Sequence, residues 1–397
     1  MRLIERTHYL QKLINVQGTP DIKVITGVRR SGKSKLLEAF KRHIEQEDPS
    51  ANVIHINFNL TKHENLAEYH ALDKYVQDAY IPGTENYILI DEVQMCEGFE
   101  KAVNSFHASE CFDIYITGSN AFLLSSDLAT LFTGRTFEVE VFPFSFSEYL
   151  QYFNQEHSID AAFDDYVRVG GMAGSYPYKD EADRYSYVED VFDTLIMRDI
   201  RQKYDVRNTD LLARLSDFMM DNVSNITSPR NVAAALGTDA DANHKTVGAY
   251  IEYLCNAFAF YKVRRFDIKG KKYLSSGNKY YLSDHSFRFA KLGTRSMDWG
   301  RVYENMVAIE LLRRGYELYV GKLYQKEVDF VAKRRSEKMY IQVSDNISAP
   351  ETFQREIEPL TKIRDAYPKL LIARTRHETY DHEGIEIHDL ARWMIGD

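Results

Sequence analysis

The sequence predicts a multidomain α/β protein: a parallel sheet with interleaved helices, a helical segment, a winged helix-turn-helix and a carboxyl-terminal α/β piece. Three observations predict it. At 397 residues the chain exceeds what one hydrophobic core supports, so several domains are expected. It is 44% hydrophobic and 27% charged, which excludes a long disordered part. Its first third alternates short apolar, β-branched runs with helical stretches, the pattern of buried parallel strands joined by helices.

In order, the runs are IKVIT (22–26), NVIHINFNL (52–60), YILID (87–91), DIYITG (113–118) and TFEVEVF (136–142), the first followed by the helical SKLLEAFKRHIEQ (34–46). Residues 1–145 form the expected parallel-sheet core. Residues 146–205 read as helices interrupted by Gly170, Gly171 and Gly174, and are expected to form a lid on that core. Within 206–292, two helices flank a turn at Leu236-Gly237, and the strand-like YKVRRF and KYYLS follow them, the order of a winged helix-turn-helix. Residues 293–397 open with the helix RVYENMVAIELLRRG and continue with strands near ELYVGK, EVDFVAK, MYIQVS and LLIAR.

The three cysteines, Cys96, Cys111 and Cys255, have neither CxxC nor zinc-ligand spacing, so disulfide frameworks and zinc ribbons are excluded. The amino terminus lacks a continuous apolar segment, and no run approaches the roughly 18 apolar residues of a membrane span, so a cytoplasmic protein without a membrane partner is expected. A net charge of −9 argues against nonspecific coating of nucleic acid by the whole surface. Between Lys245 and Lys279, however, eight lysines and arginines face only Glu252 and Asp267, a local basic patch.

Gly27-Val28-Arg29-Arg30-Ser31-Gly32-Lys33-Ser34 matches G-x-x-x-x-G-K-[ST] in full and sits between a strand and a helix, the context of a P-loop. The glycines allow successive N–H groups to face a phosphate, Lys33 supplies positive charge to the β/γ oxygens, and Ser34 ligates Mg²⁺. The cofactors expected are ATP and Mg²⁺. Four apolar residues then lead into Asp91 and Glu92 at a strand end, Asp91 for the Mg²⁺ shell and Glu92 to orient or deprotonate water. Asn120 or Ser119, after the strand 113–117, is read either as a γ-phosphate sensor or as part of a turn. Arg135 is read either as a group that stabilises transferred-phosphoryl charge, in cis or across a subunit boundary, or as an ion-paired surface arginine.

These motifs resemble bacterial and archaeal AAA-type ATPases that carry a winged helix and a carboxyl-terminal restriction-endonuclease-like domain of unknown function. The resemblance spans nearly the whole chain: Ile4, Arg6, Tyr9 and Leu10, the P-loop, Asp91-Glu92-Val93-Gln94, Thr117-Gly118-Ser119-Asn120, Gly134-Arg135 and Pro143-Phe144-Ser145-Phe146 with Glu148-Tyr149. Gly170-Gly171, Arg198-Asp199-Ile200, Tyr303-Glu304-Asn305 and Glu327-Val328-Asp329-Phe330 extend it. It implies a cytoplasmic ATP-binding protein. Two functions stay open: an ATPase driving conformational change, or a slow nucleotide-gated switch on a DNA or protein partner, with a homo-oligomer admissible in both.

In a winged helix, Asn243, His244, Lys245 and Thr246 would face the major groove while Lys269, Lys271 and Lys272 touch phosphates, so residues 243–279 are the expected contact for double-stranded DNA. The alternative is a protein-interaction module with solvated lysines. In the carboxyl piece, Glu304, Asp329 and Gln342 stand where a metal-dependent nuclease has ligands, but Ser344 replaces the lysine that would compensate the phosphate, so no cleavage is expected. Lys333 and Lys338 are the substitutes weighed for it, both at an unfavourable reach.

Overall fold

The computed structural model describes residues 4–118, 131–132, 134–154, 158–237, 243–293 and 297–396. Two compact units divide the chain, one ending at Phe142 and the next beginning at Pro143. Among the described residues no helix is long and apolar enough to cross a membrane.

The amino unit holds a wholly parallel five-stranded sheet in the order β2-β3-β4-β1-β5, with β1 Ile22–Thr26, β2 Asn52–Asn57, β3 Asn86–Asp91, β4 Asp113–Thr117 and β5 Thr136–Glu140. Alternate strand residues serve opposite faces, as a two-residue period requires. Ile88, Ile90, Ile114 and Ile116 pack with Leu72, Val76 and Phe106 from the helices Tyr69–Asp78 and Phe99–Ala108. Leu89 and Tyr115 pack with Leu37, Phe40 and Leu13 from the helices Lys33–Glu47 and Thr7–Asn15 on the other face. Because all strands run one way, the loops after β1, β3 and β4 emerge at one edge.

The carboxyl unit is built on an eight-stranded mixed sheet, β12-β13-β11-β10-β9-β8-β6-β7. Its strands are β6 Phe260–Asp267, β7 Lys272–Leu282, β8 Glu317–Leu323, β9 Lys326–Arg334, β10 Glu337–Ser344, β11 Lys369–Ala373, β12 Tyr380–His382 and β13 Ile385–Asp389. The hairpin expected as a wing pairs in parallel with β8, Arg264 opposite Tyr319, so it shares a sheet with the carboxyl-terminal strands rather than standing free.

The helices of residues 146–205 are grouped by their contacts with this same unit. Arg374 pairs with Asp160 at 2.8 Å and with Asp389 at 3.0 Å, joining helix Ile159–Val169 to the end of β13. Lys291 joins Glu189 and Asp193 of helix Glu181–Thr194 at 3.1 and 2.9 Å. The Gly171 N–H donates to buried Asp284 at 2.7 Å, and a Cβ on Gly171 would lie 2.3 Å from the Phe144 carbonyl oxygen, so only glycine fits. Leu195–Ile200 is a π-helical turn carrying Arg198 and buried Asp199.

Candidate nucleotide site

The loop between β1 and helix Lys33–Glu47 has positive φ at Gly27 (128°), Arg30 (64°) and Gly32 (101°). Gly27 is required twice over, since a Cβ there would also lie 2.1 Å from the Val141 carbonyl oxygen. Gly32 stands at the N-cap of this helix and supplies no capping side chain, the arrangement of a helix start that suits a phosphate. Buried Arg6 donates from Nη1 to the Ser31 carbonyl at 2.7 Å and ties the loop to the segment before helix Thr7–Asn15.

Lys33 is buried and donates its ammonium to the carbonyls of Gly27 at 2.7 Å and Val28 at 3.1 Å. Beside it, Ser34 Oγ donates to Asp91 Oδ1 at 3.0 Å, and Thr117 Oγ1 donates to the same oxygen at 2.5 Å. Asp91 Oδ2 is buried and without a hydrogen-bond partner among the described residues. Burial raises the Asp91 pKa, while the Thr117 and Ser34 hydrogen bonds and the Lys33 charge oppose that rise. An acceptor left bare at this position is costly unless it meets a cation or its water shell, so the donor set fits Mg²⁺.

Glu92 adopts φ 59°, and its N–H donates to Thr117 Oγ1 at 3.2 Å. Its carboxylate accepts from Gln94 Nε2 at 2.5 Å and stays partly exposed. A non-glycine residue in this backbone region is uncommon and concentrates at functional sites.

Comparison with known proteins agrees with this geometry. A profile described as an AAA domain matches residues 19–150. A second, a domain of unknown function (DUF8612), matches residues 160–298. An uncharacterised protein of Haemophilus influenzae is 37% identical over 400 residues, covering 99% of each chain. The chain belongs with it to one family of AAA-domain proteins. An uncharacterised protein of Methanocaldococcus jannaschii is 28% identical over 97% of this chain and 88% of its own. The likeness to AMPPCP-bound DnaA from Aquifex aeolicus is remote, 16% identical with a TM-score of 0.30, over 62% of this chain and 85% of that one.

Of the residues expected at the site of this AAA-domain protein, the structure brings together Gly27, Lys33, Ser34, Asp91 and Glu92. Arg29 is half-buried and Arg30 exposed on the loop. Ser119 and Asn120 lie outside the described residues. Arg135 is not gathered with the others. Its carbonyl accepts from the Ile22 N–H at 2.9 Å at the start of β1, and its exposed side chain sits at the sheet edge opposite the P-loop. Thr117 and Arg6 were not singled out from the sequence for a role. For Thr117 the signals were its place in the resembling stretch Thr117-Gly118-Ser119-Asn120 and its position as the last residue of the strand beside β3.

The carboxyl unit brings Glu304, Asp329 and Gln342 together, and adds a lysine that the sequence reading did not weigh. Lys279 of β7 lies 2.8 Å from Glu304, 2.7 Å from Glu327 and 3.5 Å from Asp329, with its side chain only 4% exposed. Tyr281 donates to Glu304 at 2.7 Å, and the Val343 N–H donates to Asp329 at 2.9 Å. Burial works to lower the Lys279 pKa, but the three carboxylates outweigh it and hold the ammonium above its usual range. Burial, then the Glu304 charge, pushes the Asp329 carboxyl up to about 8. Ser344 donates to the Asn346 carbonyl at 3.2 Å, Lys338 pairs with Asp365 at 3.3 Å, and the Lys333 ammonium sits 4.1 Å from the Phe266 ring centroid. The ammonium beside Glu304 and Asp329 is thus that of Lys279, while Ser344, Lys333 and Lys338 are engaged elsewhere.

Proposed function

We propose that this protein is a Mg²⁺-dependent ATPase that couples nucleotide turnover to conformational change. The observation that carries the reading is the convergence of an uncapped helix start, Lys33, and the Ser34–Asp91–Thr117 cluster with its bare Asp91 oxygen. The loop N–H groups and the Lys33 ammonium would bind the phosphates, the ammonium leaving the Gly27 and Val28 carbonyls to do so. Ser34 and Asp91 would hold Mg²⁺, which when bound neutralises phosphate charge. Glu92 orients or deprotonates the attacking water. Asn120 keeps its proposed sensor role. Arg135, at the far edge of its own sheet, serves a neighbouring copy in a homo-oligomer under this reading. Lys33→Ala is expected to abolish Mg-ATP binding in calorimetry; affinity kept within a few-fold would refute the site. Steady-state turnover separates an ATPase from the slow nucleotide-gated switch.

The proposal includes cytoplasmic location and contact with double-stranded DNA through residues 243–279, where His244 and Lys245 are exposed at a helix start capped by Asn243. It excludes cleavage by the carboxyl unit, because the Lys279 ammonium already satisfies the carboxylates and is closed off from a phosphodiester. Mg²⁺- or Mn²⁺-dependent DNA cleavage lost in both Asp329→Ala and Lys279→Ala would overturn that exclusion and make Lys279 the substitute for the lysine absent at Ser344.

A further inference from the structure

The end of helix Thr209–Asp221, the end of β7 with the following helix Ser286–Leu292, and the start of helix Trp299–Arg313 meet around a cleft of about 320 Å³ in the carboxyl unit. That volume falls at the lower end of the roughly 300–1,000 Å³ of small-molecule sites. Buried Met220, Val223, Leu282 and Val302 give it apolar walls. Polar contacts hold those walls in place. Asn305 accepts from the Leu282 N–H at 2.7 Å and donates to the Leu282 carbonyl at 3.0 Å, His285 Nε2 donates to the Tyr166 carbonyl at 3.1 Å, and Ser224 Oγ donates to the Arg301 carbonyl at 3.2 Å.

Arg288 and Arg301 line the same cleft. The Arg288 side chain is only 14% exposed, yet its N–H donors are poorly matched. Nη2 reaches Asp221 at 3.1 Å, Nη1 meets the Met297 sulfur at 2.9 Å, and Nε has no hydrogen-bond partner among the described residues. A thioether is a weak acceptor, so a largely buried guanidinium is left short of acceptors beside open space. Its counter-ion Asp221 is 65% exposed, and Asp298, which pairs with Arg301 at 3.0 Å, is 54% exposed. Such acids rehydrate on leaving an arginine, because an exposed ion pair contributes little.

We infer that this cleft binds a small organic anion, its carboxylate or phosphate head on Arg288 with Arg301 as second cation, and its apolar body against Met220, Val223, Leu282 and Val302. The planar guanidinium fork suits either head. A cationic ligand would find no comparable partner, since both carboxylates of the cleft are exposed and already hold arginines. The inference goes beyond the nucleotide reading and does not depend on it.

The test is saturation-transfer NMR on the full chain, titrated with phenylacetate, phenyl phosphate and uncharged 2-phenylethanol. At least one anion is expected to bind with a Kd of about 5 mM or tighter, as roughly ten non-hydrogen atoms give at modest ligand efficiency, and about tenfold or more tighter than the alcohol. The two anions separate a carboxylate head from a phosphate head. Arg288→Gln removes the charge and Val302→Phe fills the apolar wall; each should weaken the anion about tenfold or more, with thermal melts reporting whether the fold is kept. Should one of the two fail to fold, the other carries the result. Asp221→Asn, at an exposed position, frees Arg288 of its competitor and should tighten binding about two- to fivefold. Lys33→Ala should leave the affinity unchanged. Binding lost in Lys33→Ala and kept in Arg288→Gln would place the anion at the phosphate loop and overturn the inference. So would the absence of binding by either anion, an alcohol bound as tightly, affinity kept in a folded Arg288→Gln or Val302→Phe variant, or affinity not raised by Asp221→Asn.

Discussion

Asp91 has one oxygen engaged twice and the other bare, and that asymmetry organises the residues around it. Thr117 serves both carboxylate neighbours, donating to Asp91 and accepting from the Glu92 N–H, so it fixes the angle between the two acids. Glu92 is only partly buried and holds Gln94 through its carboxylate. Glu92→Gln keeps size and hydrogen-bonding reach but removes the base. It is expected to leave ATP affinity within a few-fold and to cut turnover by about a hundredfold or more in a steady-state phosphate-release assay. Turnover at the parent rate would move the water-positioning role elsewhere. Lys33, Ser34 and Asp91 were legible from motif spacing. Thr117 and Arg6 were not, because a threonine at a strand end and an arginine before a helix acquire a role only when another segment lies against them.

At the scale of elements, continuous apolar runs located β1, β3 and β4, which are buried on both faces, while the alternating β2 and β5 were legible from their β-branched and aromatic residues. Strand order was not legible. It follows from β1 lying between β4 and β5, and it decides that Asp91 meets Thr117 while Arg135 emerges at the opposite edge from the P-loop. Strands β12 and β13 escaped the sequence reading because the first has three residues and the second alternates Ile385 and Ile387 with Glu386 and His388, a half-buried pattern too short to separate from a loop. Of the 260–282 hairpin, YKVRRF was read as the first strand, while KYYLS marked only the end of the second, which begins at Lys272. Its parallel pairing with β8, which makes it part of the eight-stranded sheet, involves a strand some fifty residues later and leaves no local trace.

At the scale of the whole molecule, the buried Lys279 cluster ties the hairpin to helix Trp299–Arg313 and to β9, and it carries a pH signature. The Asp329 carboxyl, pushed up to about 8 by burial and Glu304, keeps in the fold a proton that the unfolded chain releases near its ordinary value of 3.8. Between these two values the native state binds more protons than the unfolded one, so this group's contribution to stability falls as pH rises. Asp329→Asn, which imitates the protonated form, is expected to flatten the fall in Tm between about pH 5 and pH 8, removing at most about 1.4 kcal/mol per pH unit. Thermal melts with the same slope as the parent would show that the carboxyl titrates normally. The sequence by itself determined the phosphate loop, its acidic partner strand and the α/β class, because those depend on short-range spacing and two-residue burial periodicity. The tertiary structure alone decided that the helices after Phe142 belong to the carboxyl unit, that Lys279 is buried among Glu304, Glu327 and Asp329, and that the 260–282 hairpin joins the sheet of β8. Each of these is a meeting of segments far apart in sequence, and the energy of such a meeting, desolvation set against charge pairing and packing, exists only once the chain has closed on itself.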